Sequence, residues 1–159
     1  MGNGDKAGMR ITTKGRYGLR AVINLARSNH NRPVSIGSIA SEENVSSEFL
    51  EQIFFKLKKA GLIRSVRGPG GGFILNRGPG EISVQDILEA VGETRGLTPC
   101  TLRRKALCDR PEPCAAHDIW TGLQKTMEDY LTNVTLKDIL ARNGDKMFAK
   151  LEAGQDFSI

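Results

Sequence analysis

The chain has 159 residues, 39% of them hydrophobic and 26% charged, with a formal net charge of +5. That composition suits a globular protein with an ordinary core and excludes a disordered chain. No apolar run approaches the roughly 18 residues of a membrane span, and nothing at the N-terminus reads as a signal peptide, so a cytoplasmic protein with no membrane partner is expected.

Charge is unevenly spread. Over residues 9–77 there are 12 Lys and Arg against 4 Asp and Glu, whereas over residues 78–159 there are 10 against 13. A basic half followed by a neutral or acidic one is the pattern of a polyanion-binding module with an attached second element; the bland alternative is a solvated basic face.

Residues 1–8 (MGNGDKAG) are Gly-rich without periodicity and are expected to form a disordered tail. From Thr13 the pattern turns helical: Leu19, Val22, Ile23 and Ala26 make one apolar stripe, with Lys14, Arg16 and Arg20 at the start of the helix, available to phosphates. Pro33 closes the following turn, and Ser35 can cap a short second helix that carries Ile36, Ile39 and Ala40 inward. Residues 43–45 form a tight link. Ser46 or Ser47 then caps a third helix whose stripe is Leu50, Ile53, Phe54 and Leu57, and Gly61 ends it. A short helix, a tight turn and a longer helix make a helix-turn-helix.

The period then changes. Leu62, Ile63 and Val66 lead through Arg67 and Gly-Pro-Gly-Gly-Gly to Phe73, Ile74 and Leu75, two β-prone runs around a glycine-rich tip. A hairpin directly after the third helix reads as a wing. Ser83 with Asp86 opens a further helix bearing Val84, Ile87, Leu88 and Val91. Beyond His117, Trp120, Leu123, Met127, Tyr130 and Val134 recur at steps of 3 and 4, the seam of two helices packed side by side, and point to a homodimer. Thr135 and Asp138 start a last short helix that stops at Asn143-Gly144. The expected fold is mainly α with a small β-hairpin wing. It comprises a winged helix-turn-helix over residues 9–91, a ligand loop over 92–118, a dimerisation helix and short follower over 119–143, and a flexible tail over 144–159.

In a helix-turn-helix the N-terminal part of the second helix meets base edges in the major groove. Those residues are Ser46, Ser47, Glu48, Glu51 and Gln52. Gln pairs with adenine and Glu accepts from cytosine N4, while Lys56 and Lys59 lie further along for phosphates. Both glutamates also suit the positive end of the helix dipole. Arg67 at the wing fits a narrow minor groove, and the glycine amides beside it, Gly71 among them, can approach the backbone. Double-stranded DNA is thus the expected partner. A nucleotide phosphate loop fits poorly, because GPGGG is followed by neither Lys-Ser nor Lys-Thr. No catalytic signature is present, with neither HExxH nor Gly-x-Ser-x-Gly, so an enzyme is not expected.

All three cysteines and one of the two histidines fall in CTLRRKALCDRPEPCAAH, residues 100–117. Thiolate and imidazole select zinc, copper(I) or iron-sulfur centres, so Cys100, Cys108, Cys114 and His117 are the candidate ligands. A disulfide framework would leave one cysteine unpaired.

These motifs carry a resemblance. MRITTKGRYGLRA, FLEQIFFKLKKAGLIRSVRGPGGGF, the three cysteines, HDIW and TLKDIL resemble the IscR-type family of bacterial iron-sulfur regulators, the Rrf-two superfamily, over residues 9–142. The resemblance implies a winged-helix domain, a long dimerisation helix and a cluster bound by the cysteines. It further implies a homodimer that represses genes of iron-sulfur assembly, iron homeostasis or nitric-oxide response. By position, Cys100, Cys108 and Cys114 match the cluster cysteines and His117 the histidine of the IscR branch; Glu51, Gln52 and Arg67 match positions that read bases and the minor groove.

There are departures. The seven residues between Cys100 and Cys108 resemble the nitric-oxide and iron-sensing branches, whereas Arg16 stands where some nitric-oxide sensors carry a ligand aspartate, and Glu48 replaces a serine common in the IscR branch. His117 favours a 2Fe-2S centre, with 4Fe-4S open. Two alternatives stand beside this reading: a DNA-binding regulator with a structural zinc, and an iron-sulfur scaffold or carrier that binds an acidic protein.

Overall fold

The computed structural model describes residues 11–28, 32–93, 96–98, 100–101 and 114–142. It is mostly helical with one antiparallel hairpin. Helix α1 (Thr13–Arg27) begins at Thr12, whose Oγ1 accepts from the Gly15 N–H at 3.4 Å. Its buried face carries Ala21, Val22, Leu25 and Ala26, while Leu19 and Ile23 of the expected stripe lie half-buried on its flanks. Gly18 marks a close helix crossing: a Cβ there would stand 2.9 Å from Val91 Cγ1.

Helix α2 (Ile36–Glu43) is capped by Ser35, which accepts from the Ser38 N–H at 3.1 Å, and it stops at Asn44 in the left-handed region, φ 52°. Asparagine tolerates that conformation better than most residues. Helix α3 (Ser47–Lys59) follows at once, capped by Ser46 through the Phe49 N–H at 3.2 Å. The α3 face predicted to be apolar is buried throughout: Leu50, Ile53, Phe54 and Leu57 are all at most 1% exposed. Gly61, at φ 74°, turns the chain out of α3.

The wing is β1 (Ile63–Val66) paired with β2 (Gly72–Leu75), in the register Ile63 to Leu75 and Val66 to Gly72. Val34 adds a one-residue third rung: it exchanges N–H···O bonds of 3.0 and 2.9 Å with Phe73. A side chain at Gly72 would run into the Val34 carbonyl, so this rung depends on glycine. Phe73 meets Phe54 edge to face, centroids 4.9 Å apart, locking the wing to α3. Phe54→Ala would remove this contact and leave a cavity, at a cost of about 3–5 kcal/mol.

After a 3-10 turn (Pro79–Glu81), α4 (Val84–Val91) opens with the expected capping box. Ser83 Oγ accepts from the Asp86 N–H at 3.1 Å, and Asp86 accepts from the Ser83 N–H at 2.9 Å. Val84, Ile87, Leu88 and Val91 are buried as expected. Helix α5 (Ala115–Asn133) differs in kind, for none of its residues is buried. The chain then returns: residues 136–142 form α6, and backbone bonds from Val84 N–H to Val134 O (2.9 Å) and from Leu136 N–H to Ile82 O (3.0 Å) stitch its start to the entry of α4. Leu136 is fully buried in the main core, and Val134 packs with Val84 and Leu88. Val134 therefore leaves the proposed helix seam. Its 3 and 4 spacing persists past the end of α5, but there it faces the domain.

Candidate nucleic-acid interface and ligand loop

The surface opposite the α3 core stripe carries Glu48, Glu51, Gln52, Phe55 and Lys59, all exposed. They recur at helical spacing on one side, which follows from the filling of the other side by Leu50, Ile53, Phe54 and Leu57. Ser47 is half-buried, and the Ser46 oxygen is occupied as the cap. Glu48 sits in the first turn, where the helix dipole favours a carboxylate. Lys14 is exposed in the first turn of α1, and Arg67 is exposed where β1 passes into the wing tip.

Three cationic or amide groups named from sequence are engaged within the fold. Lys56 Nζ donates to the Val91 carbonyl at 3.0 Å, capping the end of α4. Arg20 pairs with Glu43 on α2 and stacks over Tyr17, its guanidinium carbon 5.4 Å from the ring centroid; Tyr17 in turn meets Phe49 edge-on at 5.8 Å. The Gly71 N–H donates to the Gly68 carbonyl at 2.9 Å inside the wing turn. The partners of Lys56 and Arg20 lie far away in the chain, beyond the reach of local pattern.

Of the candidate metal ligands, Cys114 and His117 both lie at the start of α5. Cys114 is the N-cap of α5 and His117 lies in its first turn, its N–H donating to the Cys114 carbonyl at 2.8 Å. The helix thus starts before His117 and not after it, and the His117 ring lies along the helix with its Nε2 3.4 Å from Thr121 Oγ1. Cys100 is half-buried, its Sγ 3.0 Å from Thr98 Oγ1. Cys108 lies outside the described residues, and among the described residues no three His, Cys, Asp or Glu side chains gather into a metal site. A thiolate and an imidazole on one helical turn fit a soft metal or iron-sulfur centre as a donor pair.

Glu93 was not singled out by any sequence pattern. Its carboxylate lies over the start of α1 and accepts the Thr12 N–H at 3.2 Å. Phe55 falls outside the α3 stripe and lies exposed among the polar residues of the opposite face.

A helix-turn-helix with a wing behind it, and a polar face on the second helix, define a winged-helix DNA-binding protein. The family model for Rrf2, an iron-dependent transcriptional regulator, matches residues 11–142, and the chain belongs to that family. It is 38% identical over 132 residues to the HTH-type transcriptional regulator IscR of Erwinia tasmaniensis, covering 83% of this chain and 79% of that one. The structure is similar to that of CymR, the global cysteine regulator of B. subtilis, with TM-score 0.73 and 32% identity over 84% of this chain and 97% of that chain. It is also similar to T. potens IscR, with TM-score 0.69 and 34% identity over 86% and 89%. The family and these relatives are transcriptional regulators and not enzymes. Among the described residues no helix is long and apolar enough to cross a membrane.

Proposed function

We propose that the chain is a homodimeric repressor that binds a double-stranded operator in the cytoplasm. Its DNA affinity would be set by an iron-sulfur cluster, 2Fe-2S in type, held by Cys100, Cys108, Cys114 and His117. The signal would be iron-sulfur status, iron, redox state or nitric oxide. One observation carries this reading: Cys114 is the N-cap, and His117 lies in the first turn, of the helix whose exposed face bears Ile119, Leu123 and Tyr130. Ligand geometry and the apolar face of α5 therefore share one rigid element.

A bound cluster would supply a centre whose oxidation, loss or nitrosylation changes the ligands' positions. The residues of the chain do the rest. Cys114 and His117 set the start of α5, and Ile119, Leu123 and Tyr130 hold a second copy. Val134 and Leu136 tie the far end of α5 to the domain that carries α3. A change in the first turn of α5 thus alters the separation of two α3 helices, which must match half-sites one helical turn apart. A coupling of roughly 1–3 kcal/mol, about 5- to 150-fold in affinity, suffices for a switch.

The test is anaerobic purification followed by visible absorption, iron and sulfide counts and duplex binding with and without the cluster. Variants with Cys100, Cys108 or Cys114 changed to Ala should lose visible absorption, iron and sulfide; retention of wild-type content would sink the assignment. A colourless protein with stoichiometric zinc would instead establish the structural-zinc reading, for which three thiolates and one imidazole are equally apt. The iron count separates 2Fe-2S from 4Fe-4S.

A further inference from the structure

Phe55 on α3 is 70% exposed, more than any other large hydrophobic side chain among the described residues. It follows Gln52 by three residues, Glu51 by four and Glu48 by seven, so it stands in the middle of the face that those residues form. Successive helical residues diverge by about 100°. Phe54 therefore enters the core against Phe73 while Phe55, about a quarter-turn round the helix, points out to solvent.

Nothing in the fold accounts for an aromatic ring here. The core stripe of α3 is already complete, and phenylalanine is a poorer helix former than the lysines and glutamates around it. Nor does the ring belong to the other exposed apolar surface, because Ile119, Trp120, Leu123 and Tyr130 all lie on α5. A single exposed apolar residue is ordinary on a protein surface. One flanked by Glu48, Glu51 and Gln52 on one side and by Lys59 on the other continues, a turn further on, the face whose N-terminal residues meet base edges.

The major groove offers one apolar group, the 5-methyl of thymine, and phenylalanine is among the side chains that pack on it. We propose that Phe55 is a specificity residue that packs on a thymine 5-methyl in each half-site. It would sit one turn beyond the bases addressed by Glu48, Glu51 and Gln52. Gln52 suits adenine, whose partner thymine presents its methyl in the same groove, so Gln52 and Phe55 together select A·T pairs. Cytosine at that position lacks the methyl, and uracil differs from thymine by the methyl alone. This inference rests on the DNA-binding reading above.

The experiment uses the full chain, with tight-binding duplexes selected from a randomised pool. Each thymine is then replaced in turn by deoxyuridine. For the wild type, one or two positions per half-site should weaken binding about 3- to 5-fold, the worth of one buried methyl. In Phe55→Ala the thymine and deoxyuridine duplexes should bind alike at those positions, with the salt dependence of binding and the helical circular dichroism unchanged. If deoxyuridine costs the wild type no more than it costs Phe55→Ala at every position, Phe55 does not read a methyl and the inference is overturned while DNA binding stands. If the chain selects no duplex, or its affinity does not fall with salt, the DNA-binding reading itself fails and takes this inference with it.

Discussion

Glu93, just past the end of α4, closes the N-terminus of α1 by accepting hydrogen bonds from both the backbone N–H and the hydroxyl of Thr12, 81 residues earlier. A side chain at Gly15 would run into the Glu93 carboxylate. The two positions are therefore coupled. Taken alone, Gly→Ala inside a helix stabilises by about 1 kcal/mol, but here the added methyl would displace a carboxylate whose capping contribution is of similar size. Gly15→Ala should be neutral or destabilising in the wild type and stabilising by about 0.5–1 kcal/mol in Glu93→Ala. Denaturant unfolding of the four proteins of that double-mutant cycle measures the coupling, and an additive cycle would refute it.

Lys56 and Lys59 lie close together on α3 yet should fail differently. Lys56 Nζ is held by the Val91 carbonyl at 3.0 Å, whereas Lys59 is exposed on the face with Gln52 and Phe55. Lys56→Ala should lower stability by about 1 kcal/mol and leave the salt dependence of DNA binding unaltered. Lys59→Ala should leave stability within about 0.5 kcal/mol and reduce the slope of log affinity against log salt by about 1. Unfolding curves and binding titrations over a salt series distinguish them.

The face of α5 that carries Ile119, Leu123 and Tyr130 has no cover within the described chain. Leu123→Asp should convert a dimer to a monomer in analytical ultracentrifugation without unfolding it, since no residue of α5 is buried. Operator binding should weaken by at least about 10-fold, because two half-sites would no longer be engaged together. A variant that stays dimeric would place the contact between copies elsewhere.

Local chemistry made most of this fold readable in the sequence. Ser35, Ser46 and Ser83 cap the helices they were expected to cap, and Gly61 and Gly92 end α3 and α4 with positive φ, because a hydroxyl or a missing Cβ acts within a few residues of itself. What escaped depends on distant partners. Val34 forms a β-bridge only through Phe73, Lys56 is a cap only through Val91, and Arg20, though still exposed, is paired only through Glu43. The 3 and 4 spacing through Val134 marks an apolar side without saying what it faces, and there it faces Val84 and Leu88. At the ligand loop the pattern placed His117 before the helix; the structure makes Cys114 the cap and His117 part of the first turn.

Asp138 offers a pH test at the start of α6. The Thr135 hydroxyl donates to its carboxylate at 2.7 Å and the Thr135 N–H at 2.9 Å. The side-chain and then the backbone hydrogen bond from Thr135 hold the Asp138 carboxyl below the usual carboxylate range; desolvation opposes them, and the Arg142 and Lys137 charges add smaller help. A carboxyl whose pKa is lower in the folded than in the unfolded chain binds its proton more readily on unfolding. Its contribution to stability is therefore complete above the unfolded value and is lost as pH falls through the folded value. Asp138→Asn should lower thermal stability near neutral pH, and the gap from wild type should close as pH drops below the ordinary aspartate range. Melting temperatures of the two proteins across an acid series make the comparison. A gap that stayed constant to the lowest pH would mean that the carboxylate charge contributes nothing to capping α6.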